Sequence, residues 1–118
     1  MPKQRLRILI VEDEMLVAMN IEDMLLDLGH EVAGLASRLE PALSLAREGE
    51  FDLAMLDVNL AGETSFPVAH ILAGRGIPFL FATGYGRQGL EPGHEDVPVL
   101  QKPYREAQVA AGLAALLG

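Results

Sequence analysis

Four short apolar runs recur along the chain: RILIV at 7–11, LAML at 53–56, PFLFA at 78–82 and VPVL at 97–100. Each has the length of a strand, and none alternates strictly with polar residues. That is the pattern of strands covered on both faces, as in a parallel sheet. A weaker run, EVAGLA at 31–36, predicts a further strand. The stretches between them carry helical periods. Val17, Ile21, Met24, Leu25 and Leu28 share one face, with Gly29 placed to end that helix. The methionines of this helix are expected to fill core space. Ser37 and Glu40 match a capping box ahead of Leu43 and Ala46. Thr64 or Ser65 can cap a third helix, with Pro67 in its first turn and Gly76 beyond its end. Val109, Leu113, Leu116 and Leu117 mark a last amphipathic helix. Segment 84–97 has four glycines, a proline and no apolar face, and predicts a loop. Strands alternating with such helices imply right-handed βαβ units and a three-layer α/β domain.

Composition narrows the class of function. A chain of 118 residues makes one domain with room for a core. Its formal charge of −8 argues against nucleic acid as the main partner, since a phosphate backbone calls for a basic footprint. With no cysteine, disulfides and thiolate metal sites are excluded. The opening MPKQRLRILIVEDE is apolar only over 8–11, too short for a signal peptide or a membrane span. A soluble, cytoplasmic protein without membrane contact is expected.

The polar residues then fall in telling places. Glu12 and Asp13 end the first strand, Asp57 the third, Thr83 the fourth and Lys102 the fifth. Open α/β sheets bind ligands beyond the carboxyl ends of their strands. If the first and third strands are neighbours, their ends lie ~5 Å apart. Two carboxylates at that distance repel by roughly 3 kcal/mol at an effective dielectric near 20. Protons or a divalent cation must relieve such a site, and magnesium suits it, being hard and tolerant of phosphate ligands. Lys102 is one of only two lysines beside seven arginines, and a compact ammonium suits a phosphate oxygen. The Thr83 hydroxyl, followed by Gly84, can hold another. The set describes phosphoryl transfer onto a carboxylate, with Asp57 attacking in line.

Singly, each residue has a plainer reading. Asp13 or Glu14 can cap the first helix, and Asp57-Val58-Asn59 or Thr83-Gly84 can be turns. Lys102 alone can be a solvated lysine. His30, His70 and His94 lack metal-ligand spacing and read as surface or loop groups. The case rests on coincidence, because four strand ends carry complementary chemistry.

With those residues in place, the chain resembles the response-regulator receiver domain of two-component signalling. LIVEDE, MLDVNLAGE, the threonine ending the fourth strand and Lys102-Pro103 carry the likeness over essentially the whole chain. The resemblance implies a flavodoxin-like, doubly wound, five-stranded parallel sheet of order 2-1-3-4-5. It implies Asp57 as phospho-acceptor, with Thr83 and Lys102 contacting the phosphoryl group. Magnesium, or manganese in its place, would be held by Asp13 directly, Glu12 through water, Asp57 and the Asn59 carbonyl. PFLFATGY at 78–85 is similar to a single-domain subgroup that often works with HWE-type sensor kinases. Two features depart from the wider family. Val99 stands where an aromatic switch residue is usual, and the fourth helix is degenerate or mobile. Tyr85, between Gly84 and Gly86, is expected to serve as the moving aromatic.

The expectation is therefore a single-domain response regulator spanning 1–118, with no output domain and no enzymatic turnover of its own. It would take a phosphoryl group from a sensor histidine kinase or phosphotransfer protein. It would then act by conformational change on an unknown downstream protein, or as a phosphate sink. Two alternatives are a magnesium-dependent phosphohydrolase with an aspartate nucleophile and a degenerate receiver that only binds. The first normally wants a carboxylate where Asn59 stands, and the second would not keep the whole site.

Overall fold

The computed structural model describes residues 5–84, 90–103 and 105–117, so Tyr85 lies outside the described residues. Five strands form one parallel sheet: β1 (Arg7–Val11), β2 (Glu31–Ala36), β3 (Leu53–Asp57), β4 (Phe79–Thr83) and β5 (Val99–Gln101). Their order is β2-β1-β3-β4-β5, the doubly wound arrangement expected from the resemblance. Among the described residues, four helices connect and cover them: α1 (Met15–Asp27), α2 (Leu39–Glu48), α3 (Phe66–Arg75) and α4 (Glu106–Leu117). Residues 90–98, on the way from β4 to β5, contain no helix. No described helix is long and apolar enough to cross a membrane.

The unbroken apolar runs follow from burial on both sheet faces. Ile8, Ile10, Leu53, Met55 and Leu80 join one core with Ala18, Ile21 and Leu25 of α1 and Val109 and Leu113 of α4. Leu9, Val11, Ala54, Leu56 and Phe81 point the other way, into a core with Ala42 and Ala46 of α2 and Val68 and Leu72 of α3. Successive strand residues thus serve opposite cores, and neither can be polar. β2 reads weakly because it is an edge strand, with most of its residues half-buried.

Several local expectations are corrected. The helix α2 starts after Arg38, with no side-chain cap, so the Ser37–Glu40 capping box does not form. Ser65 does take the N-cap position of α3, yet its hydroxyl makes no capping bond. Met15 and Met19 are exposed, as is Leu16, and only Met24 of the three α1 methionines packs against the core. The last strand is displaced towards the C-terminus, to Val99–Gln101, because Pro98 has no N–H for the ladder and offers only its carbonyl, to Phe81 N at 3.0 Å. His94 lies in a loop, but its ring is buried against phenylalanines rather than at the surface.

Gly112 of α4 shows how tightly the helix lies on the sheet. A Cβ there would come within 3.3 Å of side-chain carbons of both Leu80 and Leu100. Gly112→Leu should therefore cost about 1–3 kcal/mol through overpacking, read as a lower urea midpoint at unchanged m-value.

Candidate functional site

The parallel sheet delivers its polar residues to one end. Glu12 and Asp13 follow β1 directly, Asp57 and Thr83 are the last residues of β3 and β4, and Lys102 follows β5. Main-chain bonds set the two outermost members. Glu12 N donates to Ala36 O at 3.0 Å, and Lys102 N donates to Thr83 O at 2.9 Å. Oxygens of Glu12, Asp13 and Asp57 lie within 4.8 Å of one another. The Lys102 ammonium stands 3.0 Å from Asp57 Oδ2 and 3.0 Å from Glu12 Oε1. Its hydrogen bond to Glu12 goes to Oε2, at 3.3 Å, so the buried Oε1 is close to the charge without an aligned donor.

Asp13 does not cap α1. Its Oδ2 accepts the amide of Ala61 at 3.0 Å, from the loop beyond β3. That loop is a tight hairpin in which Asn59–Leu60 pairs antiparallel with Glu63–Thr64. Its two central residues, Ala61 and Gly62, both have positive φ, 50° and 90°. A two-residue turn of this kind matches strand twist and favours Gly at both positions, so Ala61 carries backbone strain. The Asn59 side chain accepts the Gly62 amide at 3.2 Å, and Asn59 N donates to Asp57 Oδ1 at 3.3 Å. Asp57–Asn59 thus makes an Asx-type bond, and the hairpin turn that follows, at Ala61–Gly62, is what engages Asp13. An open cleft of about 530 Å³ is lined by Asp13, Glu14, Asp57, Val58, Asn59, Thr83, Gly84 and Lys102. Glu12 is buried beside it.

The electrostatics follow from three carboxylates facing one ammonium. Burial pushes Glu12 up to about 7, and proximity to Asp57 adds to the rise. Burial also raises Asp57, against the opposing pull of Lys102. Burial works on Asp13 too, but the Ala61 amide and bonds with Glu12 and Asp57 prevail and hold it below the usual range. Burial opposes the charge on Lys102, yet its two carboxylates raise it further. The donor set fits a hard divalent cation: oxygen ligands only, excess negative charge, and one buried carboxylate oxygen with no aligned donor.

A second polar group went unread in the sequence. His70 on α3 and His94 before β5 meet at Glu91. The hydrogen bond with His94, helped by His70, holds the Glu91 carboxyl below its usual range. The only sequence signal was Glu-x-x-His at 91–94, since His70 is brought in by the fold.

The family model for the response regulator receiver domain matches residues 8–113, and the chain belongs to that family, the receivers of two-component signalling. Among solved structures it is similar to SdrG from Sphingomonas melonis Fr1, with 47% identity, TM-score 0.88, and 99% of this chain and 100% of that one covered. It is also similar to the BeF3-activated conformation of SdrG, at 49% identity and TM-score 0.81, covering 95% and 96% of the two chains. The Phyllosphere-induced regulator PhyR of Methylorubrum extorquens is 34% identical over 115 residues, 93% of this chain. The chain spans less than half the length of that curated relative, 43%.

The raised carboxyl of Glu12 has a measurable consequence. A group whose value is raised by folding favours the folded state most when protonated. Without divalent cations, stability should fall as pH rises from about 4.5 to about 7, the unfolded and folded values of Glu12, with Asp57 acting in the same direction. Glu12→Gln should flatten that slope and stabilise the cation-free protein by about 1–3 kcal/mol near neutral pH and above, measured by urea unfolding. Added magnesium should stabilise the parent more than this variant.

Proposed function

We propose that this receiver takes a phosphoryl group onto Asp57 in a magnesium-dependent reaction and signals through the resulting change in shape. The observation that carries the reading is the 3.0 Å contact between Lys102 Nζ and Asp57 Oδ2 at the floor of an open cleft. Burial alone would favour a neutral, non-nucleophilic Asp57, and the ammonium opposes that by stabilising the carboxylate. In the transfer, a carboxylate oxygen of Asp57 forms a bond to phosphorus while the bond from phosphorus to the donor breaks. The donor nitrogen of a phosphohistidine keeps that electron pair. Lys102 is then placed to follow the transferred oxygens, and Thr83 lines the same cleft. Bound magnesium supplies positive charge to the phosphoryl oxygens. Asp13, Asp57, the Asn59 carbonyl and, through water, Glu12 would hold it, with manganese an alternative.

A sensor histidine kinase or phosphotransfer protein is the donor in this reading. An apolar groove beside the cleft, lined by Glu14, Val17, Asn20, Met24, Lys102 and Pro103, supports a protein donor, as do exposed Met15, Leu16 and Met19. The run 78–85 points to the HWE type among such kinases. SdrG has an activated form with BeF3, and its whole chain is covered by this one. That supports reading residues 1–118 as one receiver domain. Phosphohydrolase chemistry is disfavoured because Asn59, two residues past Asp57, offers no carboxylate and engages its side chain with Gly62.

Incubation with radiolabelled acetyl phosphate and magnesium should give one acid-labile, hydroxylamine-sensitive phosphate per chain. Asp57→Asn should abolish it with the fold intact, whereas label persisting on that variant would refute the assignment, and repeated turnover would indicate a phosphatase. Lys102→Ala should fold but bind beryllofluoride about tenfold or more weakly, matching the loss of one charge-assisted contact. Asp13→Asn should weaken magnesium in a direct titration. Unchanged affinity would place the ion elsewhere.

A further inference from the structure

We propose that His70, Glu91 and His94 form a binding site for a borderline divalent metal of the zinc class, separate from the carboxylate cluster at Asp57. Two elements build it. His70 comes from α3, and Glu91 and His94 come from the segment between β4 and β5. Both imidazole Nε2 atoms face one oxygen: Glu91 Oε1 lies 2.5 Å from His70 and 2.9 Å from His94. The two rings are nearly parallel, 19° apart with centroids separated by 6.1 Å.

What makes this more than a surface contact is how His94 is held. Its ring lies edge-on to Phe81, with centroids 5.1 Å apart, and stacks on Phe66 at 5.7 Å and 25°. Phe79 closes a third side at 6.3 Å. A buried imidazole fixed in this way has little rotamer freedom left to lose when it binds a ligand. His70 and Glu91 are the adjustable members, with side chains 63% and 31% exposed. A recess of about 300 Å³ lined by Leu90, Glu91, Pro92, His94 and Glu95 gives access from solvent.

The donor set selects the metal. Two imidazole nitrogens and one carboxylate oxygen are the three-ligand set of zinc sites that keep a fourth position for water. Magnesium and calcium prefer oxygen throughout and have little use for imidazole. Tetrahedral bonds of about 2.0–2.2 Å put ligand atoms about 3.3–3.6 Å apart. Glu91 would thus need to draw back by about 1 Å, a change open to a partly exposed side chain. Occupancy would tie the segment leading to β5 onto α3, against the strand that ends in Thr83.

The test is zinc chloride titration of the whole chain by calorimetry, with folding of each variant checked by circular dichroism. The parent should bind a zinc ion that His70→Ala and Glu91→Gln each weaken by about tenfold or more, while Asp13→Asn leaves this binding in place. Cobalt(II) should give a visible absorption band in the parent that is lost in His70→Ala. His70 and Glu91 are the residues to vary, since replacing His94 would also disturb its phenylalanine neighbours. Absence of zinc binding, zinc binding indifferent to both His70→Ala and Glu91→Gln, or zinc binding lost in Asp13→Asn would each overturn the proposal.

Discussion

The Lys102 ammonium, held between Glu12 and Asp57, organises the polar end of the sheet. Taking two carboxylates out of water at one sheet end is costly, and an ion pair offsets that cost only with close geometry. The geometry here comes from main-chain register. β1, β3, β4 and β5 run parallel, so their carboxyl ends arrive together, and the Lys102–Thr83 main-chain bond sets the cation's depth. Even so, one ammonium does not balance three carboxylates. Burial, with Asp57 beside it, pushes Glu12 up to about 7, and the excess of carboxylates over ammonium gives a hard cation its place.

The strands were legible because both sheet faces are covered, whereas their order came from the resemblance to receiver domains. Residues such as Leu9 and Ile10 enter opposite cores, and a continuous apolar run is the outcome. The site was legible for a related reason: polar residues stand out where such runs stop. What could not be read were features set by contacts distant in sequence. Asp13 looks like a helix cap, but an amide 48 residues later takes its carboxylate. Met15 and Met19 fit the composition of a core helix, yet they lie on the face of α1 turned from the sheet. Ser37 and Glu40 have capping-box spacing, but α2 begins after Arg38. His94 sits among polar loop residues, and only the return of the chain to β5 lays its ring on Phe81.

The His94 ring packs on the strand that ends at the carboxylate cluster. Residues two apart on a strand share a face, so Phe79, Phe81 and Thr83 line the same side of β4. Thr83 ends at the acidic cleft, and Phe81 lies two residues behind it in the core shared with α3. On β5 the residue in register with Phe81 is Val99, whose small side chain leaves the larger contacts of that ring to others. Phe66 meets it edge-on at 5.8 Å, Phe79 at 5.5 Å and His94 at 5.1 Å. An aromatic ring does come to this strand from the β5 side of the molecule, but from the preceding segment and with a nitrogen turned towards Glu91. Interiors packed at crystal-like density do not deform by degrees. Thr83 and His94 thus approach Phe81 by different routes, one along β4 and the other through ring contact.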